Sequence, residues 1–351
     1  MSEPLVNVIR GGRVESIHRG DWVLVDVSGR ILAHKGDPMK RTFWRSSAKP
    51  FQALPTLEAG AAEKFSMTTE EISLLCASHN GEPRHVETAL GLLHKMGLDE
   101  SALDCGTAQP MLLEAAFETI GRGESFTQLQ NPCSGKHSGM LALCLLNGWP
   151  LENYIMRDHP VQKEMLKSIA HAVSMEEKYI GIAIDGCGVP VFELPLYNMA
   201  LAYARLSLPE AFFEGAGLSA AKTVAHAMTT APFFVAGTKR LDTNLMEATQ
   251  GRILAKLGAE SVYCVSLMTK GVALVLKIED GSYRAIDPVV IDLLSRMGEL
   301  SESELEALSY HRKPLLRNQR KEIIGHLECV DPEVNFDFDA TWSPNVDKVM
   351  L

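Results

Sequence analysis

Apolar residues form short runs near both ends of the chain and again beyond its middle, and their length is typical of strands. The runs lie at residues 22–27, 30–34, 179–184, 191–194, 261–265, 272–278 and 283–286. Ser28-Gly29 separates the first two runs and Asp280-Gly281 separates the last two. Both dipeptides are typical of tight turns, so the sequence predicts a hairpin at each place.

Between the first and the later runs, at about residues 47–178, apolar residues recur at helical spacing instead. Thr68 is followed three residues later by Glu71 and then by an apolar run, which predicts a capping box at a helix N-terminus. Helical spacing also predicts helices over residues 196–231 and 289–308. Late basic residues at 312–321 are interpreted as a solvated helix face.

The order of these elements predicts the fold class. Strands at both ends surround a long helical stretch at about residues 47–178, and they do not alternate with helices as in a parallel sheet. We therefore expect an α+β fold in which N- and C-terminal strands share one antiparallel sheet. The prediction is a single domain over residues 1–351 with the helical region inserted.

Composition narrows the possible partners. The 351 residues carry a formal net charge of −10, which argues against a nucleic acid or an anionic membrane as partner. No apolar stretch approaches the roughly 20 residues of a membrane span. The seven cysteines are odd in number and widely spaced, so they predict free thiols in a reducing compartment, the cytoplasm, rather than a disulfide framework.

Ser46 and Lys49 form a Ser-x-x-Lys pattern at the start of a predicted helix. Residues at i and i+3 lie on one helix face, so the hydroxyl and the amine can meet. A serine hydroxyl becomes a good nucleophile only when a neighbour takes its proton, and a neutral lysine can do so. The pattern is short, and the alternative is a helix cap beside a surface lysine.

Two further segments place polar groups in bends. Residues 76–85 hold Ser78, His79 and Asn80 between two predicted helices, where such groups often line clefts, although an ordinary turn is an alternative. The second segment, at residues 131–137, leads into an apolar helix whose N-terminus favours a thiolate at Cys133.

The cysteine-containing bends also suggest a metal. Cys133, Lys136 and His137 share one helix face, and Cys187 lies in a second glycine-rich bend. Thiolate and imidazole suit zinc, and because an amine must lose its proton to bind, residue chemistry alone favours His137 over Lys136 as a ligand. Two glycine bends with buried cysteines are the alternative.

Five motifs in a fixed order resemble the Rhizobium etli-type L-asparaginases of the asparaginase II family. They occupy residues 46–52, 77–82, 105–107, 131–137 and 185–190. The resemblance runs over nearly the whole chain. It implies a serine β-lactamase-like fold related to penicillin-binding proteins, a homodimer, and hydrolysis of L-asparagine to L-aspartate and ammonia.

The resemblance also implies site residues. One Ser-Lys pair corresponds to Ser46 and Lys49, and the other to Ser78 and a lysine from the C-terminal half. For that lysine we expect Lys256, because residues 256–262 match the family segment except for Ser261, where glycine is expected. The alternative, Lys270, lies in a Thr-Lys-Gly sequence.

The resemblance further implies a Zn²⁺ ion held by two cysteines and a lysine, which correspond to Cys133, Cys187 and Lys136, in place of His137 as ligand. We expect the ion to organise the pocket, since an electron-rich ligand set weakens its Lewis acidity.

These assignments give a mechanism as a hypothesis. Ser46 attacks the side-chain amide while Lys49 accepts its proton, and Ser78 with Lys256 relays a proton to the departing ammonia. Backbone N–H groups near Ser46 are natural oxyanion donors. The expected substrate-binding residues are Arg45, Asn80, His137 and Asp185, with Arg45 on the α-carboxylate and Asp185 on the α-ammonium. The alternatives are another Ser-x-x-Lys hydrolase, such as a β-lactamase or D-amino peptidase, and a non-catalytic zinc or thiol protein.

Overall fold

The computed structural model describes residues 1–330 and Phe336, and the chain divides into two compact units. The first unit comprises Met1–Thr42, Leu194–Ser207 and Asn244–Leu351, and the second comprises Phe43–Glu193 and Leu208–Thr243. A single domain over residues 1–351 stays a prediction, and each unit is described by itself.

The strands, in chain order, are β1 Glu3–Arg10, β2 Arg13–Asp26, β3 Ile31–Lys35, β4 Arg41–Phe43, β5 Gly181–Ile184, β6 Pro190–Pro195, β7 Ile253–Gly258, β8 Val262–Leu267, β9 Val272–Ile278, β10 Leu315–Arg317 and β11 Ile323–Cys329. The helices are α1 Lys49–Glu58, α2 Ala61–Lys64, α3 Thr69–Leu75, α4 Pro83–Lys95, α5 Leu113–Gly121, α6 Ser134–Asn147, α7 Pro160–Val173, α8 Leu196–Ser207, α9 Gly215–Thr230, α10 Pro232–Val235, α11 Leu241–Ala248, α12 Ile286–Arg296, α13 Glu302–Ala307 and α14 Ser309–Arg312. No helix among the described residues has both the length and the apolar character needed to cross a bilayer.

An antiparallel sheet forms the first unit, in the order β10-β11-β1-β2-β9-β8-β7, with β3 paired to β2. Val8 in β1 lies opposite Leu327 in β11, and Val23 in β2 lies opposite Val275 in β9. The N- and C-terminal strands therefore share one sheet, and the predicted α+β class is confirmed. The whole of β9 is buried, and α8 packs against β2, β8 and β9.

The turn predictions had different outcomes. The hairpin at Ser28-Gly29 is confirmed, and the Asp26 carboxylate holds it by accepting hydrogen bonds from the backbone N–H groups of Ser28 and Arg30. The second hairpin is wrong, because a 3-10 turn follows Asp280-Gly281 and leads into α12.

Side-chain contacts explain the second outcome. Asp280 lies 2.6 Å from Nδ1 of His18, and Arg284 donates a hydrogen bond of 2.8 Å to Nε2 of the same ring. These contacts hold residues 283–286 against β2 instead of extending them as a strand. The helix-face interpretation of residues 312–321 is also wrong, since this stretch contains the end of α14, strand β10 and a turn.

Helices form most of the second unit. Its central helix, α1, packs against α6, α7 and α9, and α3 packs against α4, α6 and α9. The predicted capping box begins α3: Thr68 Oγ1 accepts from the Glu71 backbone, and the Glu71 carboxylate accepts from the Thr68 backbone. Strand β5 pairs with β6 through Ile182 opposite Phe192. This packing fixes the ends of α1, α3 and α6, where the functional residues lie.

Candidate active site

Lys49, the first residue of α1, has a fully buried side chain. Its Nζ donates hydrogen bonds to Oγ of Ser78 at 3.1 Å, to the Pro132 carbonyl oxygen at 3.3 Å and to the Ala77 carbonyl oxygen. An ammonium group has three N–H donors, so these three acceptors use all of them. Lys49 thus joins three motifs that are far apart in the sequence.

Ser46 lies in the 3-10 turn Arg45–Ala48 that precedes α1, and its side chain is partly exposed. The Lys49 backbone N–H donates to the Ser46 carbonyl oxygen, but no hydrogen bond within the described residues joins the Ser46 hydroxyl to the Lys49 amine, the contact predicted from their spacing. The physical reason is that acceptors from Ala77, Ser78 and Pro132 already use the lysine amine.

Ser78 follows α3 in an extended segment. Its N–H donates to the Val235 carbonyl at 2.9 Å, and the N–H of Asn80 donates to the Ala236 carbonyl at 2.8 Å. The Ser78 side chain is almost completely buried. Residues 78–80 are therefore held as one edge of a short ladder with residues 235–236.

Asn80 is committed to contacts within the protein. Its amide nitrogen donates to Glu82 and to the Thr238 carbonyl, at 3.0 and 2.9 Å, and its amide oxygen accepts from Arg240 at 3.1 Å. Asn80 is 2% exposed. In this structure its side chain braces the ladder, while its expected contact with substrate stays a prediction.

Arg240 contacts the candidate site, and sequence reasoning missed it. Its Nη1 donates to the Ser78 carbonyl oxygen at 3.3 Å as well as to Asn80. The sequence separates Arg240 from Ser78 by 162 positions. The signal that could have found it is the basic pair Lys239-Arg240 directly after a glycine bend.

Asn131 shapes the loop that leads into α6. Its side-chain amide donates to the carbonyls of Cys105 and Gly106, and its side-chain oxygen accepts from the Cys133 N–H at 2.9 Å. One asparagine therefore ties the motif at residues 105–107 to the motif at residues 131–137. Gly135 allows α6 to approach α3, since a Cβ there would lie 2.0 Å from the carbonyl oxygen of Leu74.

Cys133, Lys136 and Cys187 form a group that we call the thiol cluster. Nζ of Lys136 lies 3.0 Å from Sγ of Cys187, and the Cys133 thiol is hydrogen-bonded to Cys187. The hydrogen bond from Cys133 and the charge of Lys136 lower the pKa of Cys187 against the effect of burial. That hydrogen bond and burial raise the pKa of Cys133.

Lys136 balances this charge. Burial opposes its charged form, but Cys187, Cys133 and Asp185 outweigh that effect and raise the pKa of Lys136. The shifts of the two pKa values favour a thiolate at Cys187 beside an ammonium at Lys136. Among the described residues no group of three or more His, Cys, Asp or Glu side chains is arranged to hold a metal ion, so a metal here would require the lysine nitrogen.

Arg45 and Asp185, the two residues expected to bind the charged ends of an amino acid, bind each other. Both Nε and Nη2 of Arg45 lie 2.9 Å from Oδ1 of Asp185. Burial disfavours the Asp185 carboxylate, but the charges of Lys136 and Arg45 outweigh it and keep the pKa of Asp185 below its usual range.

His137 is completely buried one residue after Lys136. Its Nδ1 lies 2.6 Å from the Tyr154 hydroxyl, which itself accepts from the Asp104 N–H at 2.8 Å. Nε2 of the same ring is buried without a hydrogen-bond partner among the described residues, so His137 has one unused ring nitrogen. Burial lowers the pKa of His137 to about 3.

The two lysines considered as a second catalytic amine lie in the first unit and differ in environment. Lys256, in β7, has a fully buried side chain whose Nζ donates to the Leu257 carbonyl at 2.7 Å. Lys270 is more than half exposed and forms an ion pair with Glu299 at 2.7 Å. Burial of the amine favours Lys256 for chemistry, and its catalytic role stays a prediction.

The chain is similar to proteins of known structure. Two solved structures are similar to the chain: a β-lactamase from Mycobacterium bovis, at 12% identity and a TM-score of 0.39 over 79% of this chain and 94% of that one, and a protein described as a β-lactamase from Bacteroides dorei DSM 17855, at 12% identity and a TM-score of 0.40 over 79% and 93%. No curated protein matches.

The family comparison covers almost all of the described chain. A sequence model of L-asparaginase II matches residues 6–329, a range that includes every site residue discussed above. Such a match supports a hydrolase that acts on amides. The chain belongs to the L-asparaginase II family.

Proposed function

We propose that the protein hydrolyses L-asparagine to L-aspartate and ammonia through a serine ester, as an L-asparaginase of the Rhizobium etli type. The observation that carries this proposal is the 3.1 Å contact between Nζ of Lys49 and Oγ of Ser78 in a chain of the L-asparaginase II family. A buried amine beside a hydroxyl is the arrangement that serine–lysine acyl transfer requires.

Ser46 is the proposed nucleophile, because its partly exposed hydroxyl can reach a substrate while Ser78 is almost completely buried. Oγ of Ser46 bonds to the side-chain amide carbon as Lys49, after it loses a proton and turns from the Ala77 and Pro132 carbonyls toward Ser46, takes the hydroxyl proton. The C–N bond then breaks, and the departing nitrogen receives a proton from Lys49 through the Ser78 hydroxyl. Water cleaves the ester to give L-aspartate. The 3-10 turn at Arg45–Ala48 offers backbone N–H donors for the oxyanion.

Other site residues have proposed roles in binding. The unused Nε2 of His137, on a ring that burial keeps neutral, is suited to a polar group of the substrate, and in the tautomer with its proton on Nε2 it would donate to a carbonyl or carboxylate oxygen. Asp185 is ionised and can attract an ammonium group if it shares its contact with Arg45. Lys256 stays the proposed second lysine that assists Ser78.

Zinc at the thiol cluster is part of the proposal. Two sulfur atoms and one nitrogen already converge there, and thiolate and nitrogen donors suit Zn²⁺. Cys133, Lys136 and Cys187 would hold the ion once Lys136 loses its proton. The ion would supply charge that fixes the cluster and orients its neighbours. Stoichiometric zinc in the purified protein, lost in Cys187→Ser, is the expected result, while protein that neither contains zinc nor takes it up would refute this part.

Covalent trapping tests the chemistry. The protein is mixed with an asparagine analogue that leaves a slowly hydrolysed acyl group, and intact mass is recorded for the wild type, Ser46→Ala and Ser78→Ala. The proposal predicts an adduct in the wild type that is absent in Ser46→Ala and slower to form in Ser78→Ala. An adduct that persists in Ser46→Ala and disappears in Ser78→Ala would make Ser78 the nucleophile, and an adduct in both variants would refute the serine mechanism.

A further inference from the structure

The buried side chain of His79, next to Ser78, has no role in the proposed mechanism. Burial, followed by the charges nearby, lowers the pKa of His79 well below its usual value, which keeps the ring neutral. The N–H of Gly81 donates to Nδ1 at 3.1 Å, so the proton of the neutral ring lies on Nε2. Nε2 therefore donates to Oγ of Ser134, 2.9 Å away at the start of α6, and both side chains are completely buried.

This hydrogen bond is a second link between the segment that carries Ser78 and the loop before α6. The first link is the Lys49 amine, which donates both to Oγ of Ser78 and to the Pro132 carbonyl oxygen. The bond from His79 to Ser134 joins the same two segments two residues further along. The two links therefore lie on either side of the first cysteine of the thiol cluster.

The first link cannot last through the proposed reaction. Lys49 has to lose a proton and turn from the Pro132 carbonyl toward Ser46 before it takes the proton of that hydroxyl. The second link does not use the amine, and a neutral imidazole keeps it whichever partner Lys49 has.

We propose that His79 is a positioning residue that holds the loop of the thiol cluster against Ser78 while the Lys49 amine changes partners; this inference rests on the proposed function. His79 acts through Ser134 and not on the substrate itself. Catalytic groups have to stay within about 0.5 Å of their productive positions, and a displacement of about 1 Å can reduce the rate about 100-fold. A link that persists through the reaction meets this requirement.

His85 gives a matched comparison, because it lies in the same ring stack. Its ring centre is 5.0 Å from that of His79, and its side chain is also completely buried. Nδ1 of His85 accepts from the Glu82 N–H at 3.2 Å, and Nε2 donates to the Phe233 carbonyl oxygen at 3.0 Å. The two histidines thus make the same kinds of hydrogen bond, but the bond of His85 leads away from α6.

The first experiment measures kcat and KM for ammonia release from L-asparagine, with urea unfolding beside them. The variants are His79→Phe, His79→Gln, Ser134→Ala and the control His85→Phe. Phenylalanine keeps the stacked ring and loses both hydrogen bonds of the histidine. Glutamine keeps an N–H donor near the position of Nε2, so His79→Gln tests for rescue of the link to Ser134.

In His79→Phe and Ser134→Ala, kcat is expected to fall about 10- to 100-fold with KM nearly unchanged, because the loss displaces reacting groups and leaves binding intact. The double variant should lose no more than the larger single loss, since both changes remove one bond. His79→Gln should recover most of kcat. His85→Phe should lower the urea midpoint as His79→Phe does and keep kcat. An equal loss of kcat in His85→Phe, or no recovery in His79→Gln, would overturn the inference.

Hydrogen exchange separates this inference from the proposed function, because it requires no turnover. Lys49→Met removes the amine and so imitates the step in which Lys49 has left Pro132. Mass spectrometry follows exchange in the peptide of residues 131–137. Exchange is expected to be about 5- to 10-fold faster in Lys49→Met/His79→Phe than in Lys49→Met, the effect of losing one hydrogen bond, while Lys49→Met/His85→Phe should match Lys49→Met.

The outcomes distinguish the two proposals. A wild type that releases no ammonia, together with this faster exchange, would refute the proposed reaction and retain the link made by His79. Exchange that is no faster when His79 is replaced would overturn the inference whatever the protein hydrolyses. Where Lys49→Met fails to fold, the single variants His79→Phe and His85→Phe give the same comparison in the wild-type background.

Discussion

Gly135→Ala tests whether the approach of α6 to α3 positions the site. The alanine Cβ would lie 2.0 Å from the Leu74 carbonyl oxygen, so the two helices must separate by about 1.4 Å to restore an ordinary contact of 3.4 Å. The obstacle is backbone, which cannot rotate away as a side chain can. Overpacking a core costs about 1–3 kcal/mol, and alanine returns at most about 1 kcal/mol through helix propensity. We therefore expect a net loss of about 1–2 kcal/mol.

Activity should fall further than stability implies. Leu74 lies four residues before Ser78, and Gly135 lies two residues after Cys133, so the separation moves Ser78 away from the Pro132 carbonyl that shares the Lys49 amine. Displacements of about 1 Å in a catalytic group can reduce rates by about 100-fold. Urea unfolding and ammonia release from L-asparagine measure the two effects.

Gly139→Ala is the matched control, because it lies one turn further along the same helix. Its Cβ would meet Cδ2 of Leu75 at 3.2 Å, and that methyl group can move by a few tenths of an ångström. The helix propensity of alanine offsets the contact, so stability should change by less than about 1 kcal/mol. If Gly135→Ala matches Gly139→Ala in both unfolding and activity, the close approach does not position the site.

Three further predictions concern single side chains. Ser261→Gly should stabilise the protein by about 1 kcal/mol in urea unfolding, because Ser261 has a left-handed φ of 60° and a buried hydroxyl with no hydrogen-bond partner in the part of the chain that the structure describes; a loss of stability would contradict this. Burial disfavours the Glu82 carboxylate, but hydrogen bonds from Thr238 outweigh burial and lower the pKa of Glu82. The carboxylate therefore stabilises the fold at pH values above its ordinary pKa of about 4.3, and this stabilisation is lost as the pH falls through the lowered pKa of the folded state. Glu82→Gln should therefore cost about 1 kcal/mol at pH 7 and progressively less as the pH falls below about 4.3, and a cost that does not change with pH would refute the reasoning. Tyr154→Phe removes the hydroxyl that contacts Nδ1 of His137 and should cost about 1–2 kcal/mol in the same assay, while an unchanged midpoint would show that the contact is not stabilising.

Local signals predicted much of the fold. The capping box at Thr68 and Glu71 begins α3 because both partners of each hydrogen bond lie within one turn. The hairpin at Ser28-Gly29 formed because the Asp26 carboxylate stabilises it locally. The turn at Asp280-Gly281 depended on His18, which is 262 positions away, and no short window could have included that contact.

In the candidate site, too, local sequence signals were informative and long-range contacts could not be predicted. Three of the predicted motifs converge on the Lys49 amine, while the roles of their residues stay predictions. Spacing could not reveal that this amine faces Ser78 and lacks a contact with Ser46, because tertiary acceptors direct the side chain. Arg240 was missed for a related reason, since its partners Ser78 and Asn80 belong to a segment about 160 positions earlier.

The most direct test of the proposed function is ammonia release from L-asparagine, with L-glutamine beside it, by the wild type and Ser46→Ala. The proposed mechanism predicts release from L-asparagine by the wild type and its loss in folded Ser46→Ala. No release from folded, zinc-supplied wild type would contradict asparagine as the substrate, and full release by Ser46→Ala would contradict Ser46 as the nucleophile.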